Sequence, residues 1–539
     1  MSAPKTFVRD ATGLVREISF FDHAITNMNG VGIISALFTT AWFVWFALPQ
    51  GDLIITIVGG YLFGVFGTFL GFAVINSTFP RSAAPYVAMS RVIHPSIGWP
   101  SEFLQWIGWS LGVATMGGVI VTLALVPGLY TMGISSGNPG LVSAAFVVST
   151  PVSSFIVGTI ALVVSFLAAV SGTRRLVRTF QFPVTVLMLL SAVIIIILWT
   201  GATPGTLQTA LPKYLNTNYA DILAGARSQF PDAMAPPTYT LFTLLGSLGF
   251  GVGAFNSYWN AWAVGEVKRG NDFKRQYLSM LIPSTLLVIL VGLTVAIAQF
   301  TAGRDFLVAL TQMLTINPGF FTNVPASFIG GMGTLLVVPM ILADNYWIQF
   351  ILMIGIISSG VIFLPVAWLM MSRQWFAWSF DRIVPAKFAS VNDRFHTPVF
   401  SLSANLVWLE ILMAAIVFSP QYFGFFLTAG WAFSILPIAV YMLVAVLLPL
   451  RKQMWRISPV SKYKAGGILA IVGGIIGFIF QAVGTYFLST TPALGFGLPS
   501  TVILVTLFVI PFVAYWVIRQ IRKGQGIDID LIFRSVPPE

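Results

Sequence analysis

The 539-residue chain has no cysteine, three histidines and charged residues at only 8% of its positions. The missing thiols exclude disulfides, thiol nucleophiles and cysteine metal sites. What fills the chain instead is apolar, at 57% hydrophobic residues. Apolar runs recur along its whole length, and a bilayer core of ~30 Å needs about 20 such residues per helix. The alternating pattern of an outer-membrane barrel is absent. These features predict an all-α integral membrane protein. The opening segment up to His23 lacks the apolar core and small-residue cleavage site of a signal peptide.

Twelve spans are predicted, at about 24–48, 53–77, 103–130, 152–172, 180–200, 239–265, 278–300, 346–371, 398–418, 422–449, 466–488 and 499–518. An even number puts both termini on one side. Of 28 lysines and arginines, only Lys213, Arg227 and Arg304 fall in loops on the other side. By the positive-inside rule the termini are then cytoplasmic, in a plasma membrane. The net charge of +11 thus reports topology and contact with anionic lipid rather than nucleic acid. The apolar stretch 327–343 is short, with three glycines and a proline. Counting it as a span would turn the following basic loops outward, so it is expected to fold over the outer mouth. The outer loop 202–238 is long enough to suggest a role.

The organisation expected is a cytoplasmic segment 1–23, a first repeat 24–200, an extracellular loop 201–238 and a second repeat 239–449. Two further helices follow over 450–518, then a cytoplasmic tail 519–539. The repeat is read from two glycine interruptions five spans apart, "NMNGVGIIS" (27–35) and "GFGVGAFNSYW" (249–259). Five is odd, so the second copy enters the membrane from the opposite side. Paired glycine-interrupted spans in two halves are the best sequence pointer to a transporter site. Irregular backbone survives at membrane depth only when buried in protein or lining a wet cavity. A broken helix offers N–H groups to a carboxylate at one half-helix end and carbonyls to a cation at the other. A zwitterion needs both. The plainer reading is close helix packing, which is preferred for "GGIIG" in span eleven. For the paired breaks the functional reading is preferred, because Asn27, Asn29 and Asn256 flank them.

Three inner loops carry a family resemblance. "FPRSAAPYVAMSRVIHP" after span two resembles the Pro-Arg-Ser-Gly-Gly-x-Tyr loop of the amino acid–polyamine–organocation (APC) superfamily. "AVGEVKRGNDFKRQYL" after span six is similar to its Ala-x-Glu-x-Lys-Asn-Pro stretch. "SRQWFAWSFDRIVPAKFASVNDRFHTP" after span eight resembles its Arg-x-x-Phe-Ala-x-x-x-Asp-Arg-x-x-Pro loop. Ala83, Ala84 and Pro85 depart from the usual Gly-Gly-acid, and Arg269 and Gly270 from Asn-Pro.

The resemblance implies an amino acid permease with a five-plus-five inverted repeat, broken helices one and six, and two helices added outside. It implies that the backbone of Gly30, Val31 and Gly32, beside Asn29, holds a substrate carboxylate. The carbonyls of Phe250, Gly251, Val252, Gly253 and Ala254, near Asn256, would accept the α-amino group. Counting back from Glu266 sets the family's break at 256–258, and matching the glycines sets it at 251–256. The second register is preferred, with Phe250 as an aromatic lid. Met188 stands where some members carry a proton-coupling lysine in span five. Sodium-coupled relatives use a hydroxyl pair where Ser358 and Ser359 stand, and sodium favours oxygen ligands. Two serines bonding back to their own helix are the equal alternative.

Glu410 lies near the middle of span nine, where an acid costs about 2.5–3.5 kcal/mol. The family's span nine is peripheral, so a coupling role for it is disfavoured. Glu266 and Lys268 are read as inner-gate electrostatics or helix caps, and the three histidines as lying at or beyond inner helix ends. A transporter of amino acids by alternating access is the leading reading, with sodium the possible coupling ion and no other cofactor. A carrier of nucleobases, organic amines or polyamines is the alternative, as are proton coupling and exchange. A polyamine carrier would want acids near the breaks, and none lies there. A channel would need a polar pore ring and an enzyme a nucleophile with its base; neither is visible. The sequence assigns no oligomeric state.

Overall fold

The computed structural model describes residues 14–255, 257–325, 333–495, 498–534 and 536–537. Among them ten helices are long and apolar enough to cross a membrane. They are Ile55–Thr78 (span two), Pro95–Ser136 (three), Pro151–Val170 (four), Thr173–Thr200 (five) and Phe273–Thr301 (seven). Tyr346–Phe380 (eight), Val399–Val417 (nine), Pro420–Leu450 (ten), Gly466–Thr490 (eleven) and Thr501–Gly524 (twelve) follow. Spans one and six complete the set, and both are interrupted. Span one is Phe20–Asn29 and then Ile33–Trp42. Span six is Leu241–Ala254 and then a tight 3₁₀ helix, Trp259–Glu266. The chain is a multi-pass helical membrane protein. Its one extended contact among the described residues is the parallel bridge Ile18–Val267.

Local chemistry starts and stops these helices. Span one opens on a capping box, in which the Ser19 hydroxyl accepts the Asp22 N–H at 3.2 Å. The Asp22 carboxylate accepts the Ser19 N–H in return at 3.0 Å. Span six opens on Thr240, whose hydroxyl accepts the Thr243 N–H. The glycines of "GGIIG" serve packing: a Cβ on Gly477 would stand 2.8 Å from the Met442 sulfur of span ten. One on Gly67 of span two would stand 2.6 Å from the Gly477 nitrogen. Span eleven therefore lies flush against spans two and ten.

The loop at 202–238 folds into two helices, Pro204–Leu215 and Tyr219–Gln229. Thr334–Ala343 is a ten-residue helix, too short to span; residues 326–332 of that stretch lie outside the described set. The Trp199 indole, at the outer end of span five, donates to its Leu335 carbonyl at 3.2 Å. Asp344 at its end takes Lys213 at 2.6 Å and the Tyr214 hydroxyl at 2.5 Å. On the face where both ends of the described chain lie, called here the inner face, the helix Ala84–Val92 follows Ala83, whose N–H donates to the Trp262 carbonyl at 2.7 Å. Two buried ion pairs close that face, Arg91–Asp381 at 2.6 Å and Arg373–Glu266 at 2.8 Å. Glu266 thus makes a buried ion pair rather than a helix cap.

Candidate substrate-binding site

The interruption of span one falls where the glycines are. Its inner half ends at Asn29, and its outer half starts after Gly32, which sits at φ +71°. An L side chain rarely adopts that conformation, so glycine is required there. The Val31 and Gly32 N–H groups both turn back to the Met28 carbonyl, at 3.2 and 3.0 Å. The first N–H groups of the outer half are left without intrahelical partners.

Span six differs from expectation. Gly251, Val252, Gly253 and Ala254 are all helical, and the chain leaves the helix only at Phe255. The interruption covers Phe255–Tyr258, the register set by counting back from Glu266 and not the one preferred from the glycines. Asn256 lies outside the described residues. The glycines instead let helices approach: a Cβ on Gly251 would stand 2.5 Å from the Thr56 carbonyl and 2.9 Å from Gly60 Cα of span two. Val252 packs over Gly484 of span eleven. Phe250 is no lid. It is 1% exposed, stacked on Phe43 with ring centroids 5.4 Å apart and edge-on to Phe487 at 6.1 Å. Gly251–Ala254 form the last turn of the outer half, where helix carbonyls lack intrahelical donors.

The two interruptions meet at Trp259. Its indole lies where a Cβ on Gly30 would be, within 2.3–2.7 Å of that position. Val31 and Trp259 form one wall of an apolar cavity of about 40 Å³. Trp109 and Met116 of span three, Phe363 of span eight, and Trp431 and Ser434 of span ten complete it. Trp109 lies flat on Phe363 at 4.4 Å and edge-on to Trp259 at 4.7 Å. Glycines form the floor, where a Cβ on Gly430 would stand 2.9 Å from the Gly112 nitrogen. The cavity holds at most a few waters as it stands. A larger cleft of about 660 Å³ lies on the inner surface among Arg451, Lys452 and Arg534, away from both interruptions.

Several buried polar atoms around the interruptions have no hydrogen-bond partner among the described residues. They are the indole nitrogens of Trp109 and Trp259, Ser257 Oγ, Tyr258 Oη and Asn29 Nδ2. Buried donors are normally satisfied, so a cluster of orphans calls for a ligand or water. Asn29 Oδ1 is occupied by the Thr185 hydroxyl of span five at 3.1 Å.

Below the cavity a network of mostly neutral groups closes the inner half. Asn27 Oδ1 accepts the Asn260 N–H at 2.9 Å, tying the inner halves of spans one and six. His23 is inside this network, 2% exposed, between Asn260 at 2.5 Å and Gln276 at 3.0 Å. It belongs to the bundle interior, whereas His94 caps span three and His396 lies in a loop. Thr26 reaches Gln181 of span five at 3.0 Å. Ser358 and Ser359 are buried in span eight, and the Ser358 hydroxyl donates to the Ile354 carbonyl at 2.8 Å. Met188 is fully buried in span five. Glu410 accepts from Thr159 of span four at 2.8 Å, away from the cavity.

The aromatic walls were not anticipated. Trp109, Phe363 and Trp431 lie in uninterrupted apolar runs, where a tryptophan or phenylalanine reads equally as core packing. Trp259 lies three positions beyond the preferred break at 251–256 and one beyond the alternative at 256–258.

No family model matches the chain, and no curated protein matches it in sequence. Solved structures do resemble it. That of MhsT in complex with L-phenylalanine aligns over 87% of this chain and 98% of its own, with a TM-score of 0.52 and 12% identity. A likeness at that identity establishes the shared fold.

Proposed function

We propose that the chain is a secondary active transporter that moves amino acids across the cell membrane by alternating access. Both termini lie in the cytoplasm, as the distribution of lysine and arginine requires. One observation carries the reading. Two interrupted helices meet where Trp259 of span six packs on Gly30 of span one, and Val31 and Trp259 from the two interruptions wall one apolar cavity. The N-terminus of Ile33–Trp42, with the backbone of Gly30–Gly32, holds the substrate carboxylate. The carbonyls of Gly251–Ala254 take the α-amino group.

The aromatic walls then suit an apolar side chain, for which the cavity of about 40 Å³ has to widen. A protein of the same fold bound to L-phenylalanine supports this choice. The cavity is lined by apolar and aromatic side chains and glycines, with Ser434 its one hydroxyl among the described residues. Trp259, rather than Phe250, is the group that covers the substrate. Ser358 and Ser359 are the proposed sodium ligands, the hydroxyl of Ser358 turning from Ile354 to the ion.

A second reading keeps a specific observation: the faces of Trp109, Trp259, Trp431 and Phe363 also suit an organic ammonium ion. Uptake of labelled amino acids and amines into proteoliposomes, with sodium and proton gradients imposed separately, decides between them. Accumulation of neutral L-amino acids is expected. Uptake of quaternary amines alone would hand the site to the second reading.

A further inference from the structure

Four carboxylic acids are buried in the inner half of the bundle, and three of them have an arginine: Asp22 is reached by Arg178 at 3.3 Å. Glu266 is held by Arg373, and Asp381 by Arg91. Glu102, in the second turn of span three and 0% exposed, forms no ion pair among the described residues. One of its oxygens accepts the Trp262 indole N–H at 2.5 Å, and the other is hydrogen-bonded to the Tyr441 hydroxyl. Trp262 belongs to the inner half of span six, the same short helix whose Trp259 walls the cavity. Glu102 and Tyr441 belong to spans three and ten, which are locked together where Gly108 and Gly112 meet Ser434 and Gly430. The carboxyl therefore ties the inner half of span six to two spans packed flush against each other.

An ionisable group inside a membrane bundle is a functional site by default, and a lone buried carboxylate is costly. We propose that Glu102 is a proton-binding site whose occupancy sets how firmly the inner half of span six is held, so that a proton is carried in the transport cycle. This rests on the transporter reading. The step is simple: a proton from water forms one O–H bond on a carboxylate oxygen, no bond breaks, and the proton returns to water on release. In the carboxylate form both oxygens accept charge-assisted hydrogen bonds, roughly twice as strong as neutral ones. In the acid form one oxygen must donate. Tyrosine can turn from donor to acceptor, but an indole N–H can only donate. Protonation thus leaves Trp262 a neutral bond, and the inner half of span six is held less firmly, by Arg373, Asn27 and Ala83 without the charged acceptor.

The surrounding titratable groups leave this carboxyl as the switch. Span ten presents Tyr441, the span-six interruption Tyr258, and the helix Ala84–Val92 Tyr86. Arg91 and Asp381 neutralise each other, as do Arg373 and Glu266. On span twelve Arg519 is paired with Asp530, and Glu410 of span nine is turned to Thr159.

The test uses the full chain in proteoliposomes. Glu102→Gln keeps an acceptor for Trp262 but cannot take a proton. Infrared difference spectra between acidic and neutral pH should show a protonated-carboxyl band that Glu102→Gln removes. Uptake by the parent should be stimulated several-fold by an inward proton gradient, and uptake by Glu102→Gln not at all, while substrate exchange persists. Tyr441→Phe should retain the band and shift the pH at which it appears. A gradient response and a carboxyl band that both survive in Glu102→Gln would overturn the proposal. A band lost in Glu102→Gln in a protein that transports nothing would leave the proton site standing and remove the transporter reading.

Discussion

Spans one and six carry the same Gly-Val-Gly, and the chain treats the two copies differently. At Gly30–Gly32 it leaves the helix, with Gly32 at φ +71° and an indole filling the space a Gly30 side chain would need. At Gly251–Gly253 it stays helical and uses the missing side chain of Gly251 to bring span two within van der Waals contact. Span six breaks one turn later, at residues with no glycine among them. Its lost backbone bonds are replaced from other helices: Ser284 donates to the Phe255 carbonyl at 3.0 Å, and Asn27 accepts the Asn260 N–H. A glycine in a membrane helix thus marks where something comes close. Whether that is a ligand or another helix is decided by the partner.

The comparison breaks most decisively at the glycines themselves. Gly30→Ala drives a methyl group into Trp259, and Gly32→Ala strains the backbone; both should abolish substrate binding in a ligand-induced thermal-shift assay. Gly251→Ala meets a backbone carbonyl of span two and should instead lower yield and melting temperature. Normal stability with lost binding in Gly251→Ala would put span six's glycines back at the site.

The aromatic pair sharpens the same distinction with a smaller effect. Trp259→Ala should raise the substrate dissociation constant at least tenfold. Phe250→Ala empties a packed position among Phe43 and Phe487, costing about 3–5 kcal/mol of stability by analogy with buried core positions. Its affinity for substrate should not change. Equal affinities in the two variants would deny Trp259 its place over the substrate.

Replacing both Ser358 and Ser359 with alanine should remove a several-fold sodium dependence of substrate affinity, because ion and substrate binding are reciprocally linked. Equal affinity of the parent in sodium and choline would dismiss the sodium site.

The mildest effect belongs to the outer cover. Burial pushes the Asp344 carboxyl up, but Lys213 and Tyr214 outweigh it and hold it below the usual carboxylate range. A carboxyl lowered on folding stabilises above its unfolded value, and that contribution is lost as pH falls through its folded value. Acid should therefore loosen the contact between Pro204–Leu215 and Thr334–Ala343, read as faster amide exchange in both helices. Asp344→Asn should show the faster exchange already at neutral pH, with little effect on melting because the pair is half exposed.

Helix number, the paired interruptions and the break at Gly30–Gly32 were legible because hydropathy and glycine report directly on lipid and on backbone freedom. The break at Phe255–Tyr258 was not. Its determinants, Ser284 and Asn27, lie on other spans, and only the polar cluster Ser257–Asn260 within an apolar run hinted at it. Glu102 escaped because it sits one residue before the predicted start of span three, where an acid reads as a loop charge. Trp109 and Trp431 gave no signal beyond hydrophobicity, since a cavity wall and a packed core demand the same side chains.

The closure beneath the cavity is made of Asn27, Asn260, Gln276, Gln181, Thr26 and His23, with no ion pair among them. Its consequence is an energetic balance. Each hydrogen bond in such a network is worth only ~0.5–1.5 kcal/mol net, because water replaces it when the groups part. A ligand must supply about 5.5 kcal/mol of differential affinity to swing a two-state population from one extreme to the other. The ion pairs Arg91–Asp381 and Arg373–Glu266 close the same face beyond this layer, and parting them adds to what a ligand must supply. The amide layer itself keeps its open and closed populations close enough for a single bound solute to tip them.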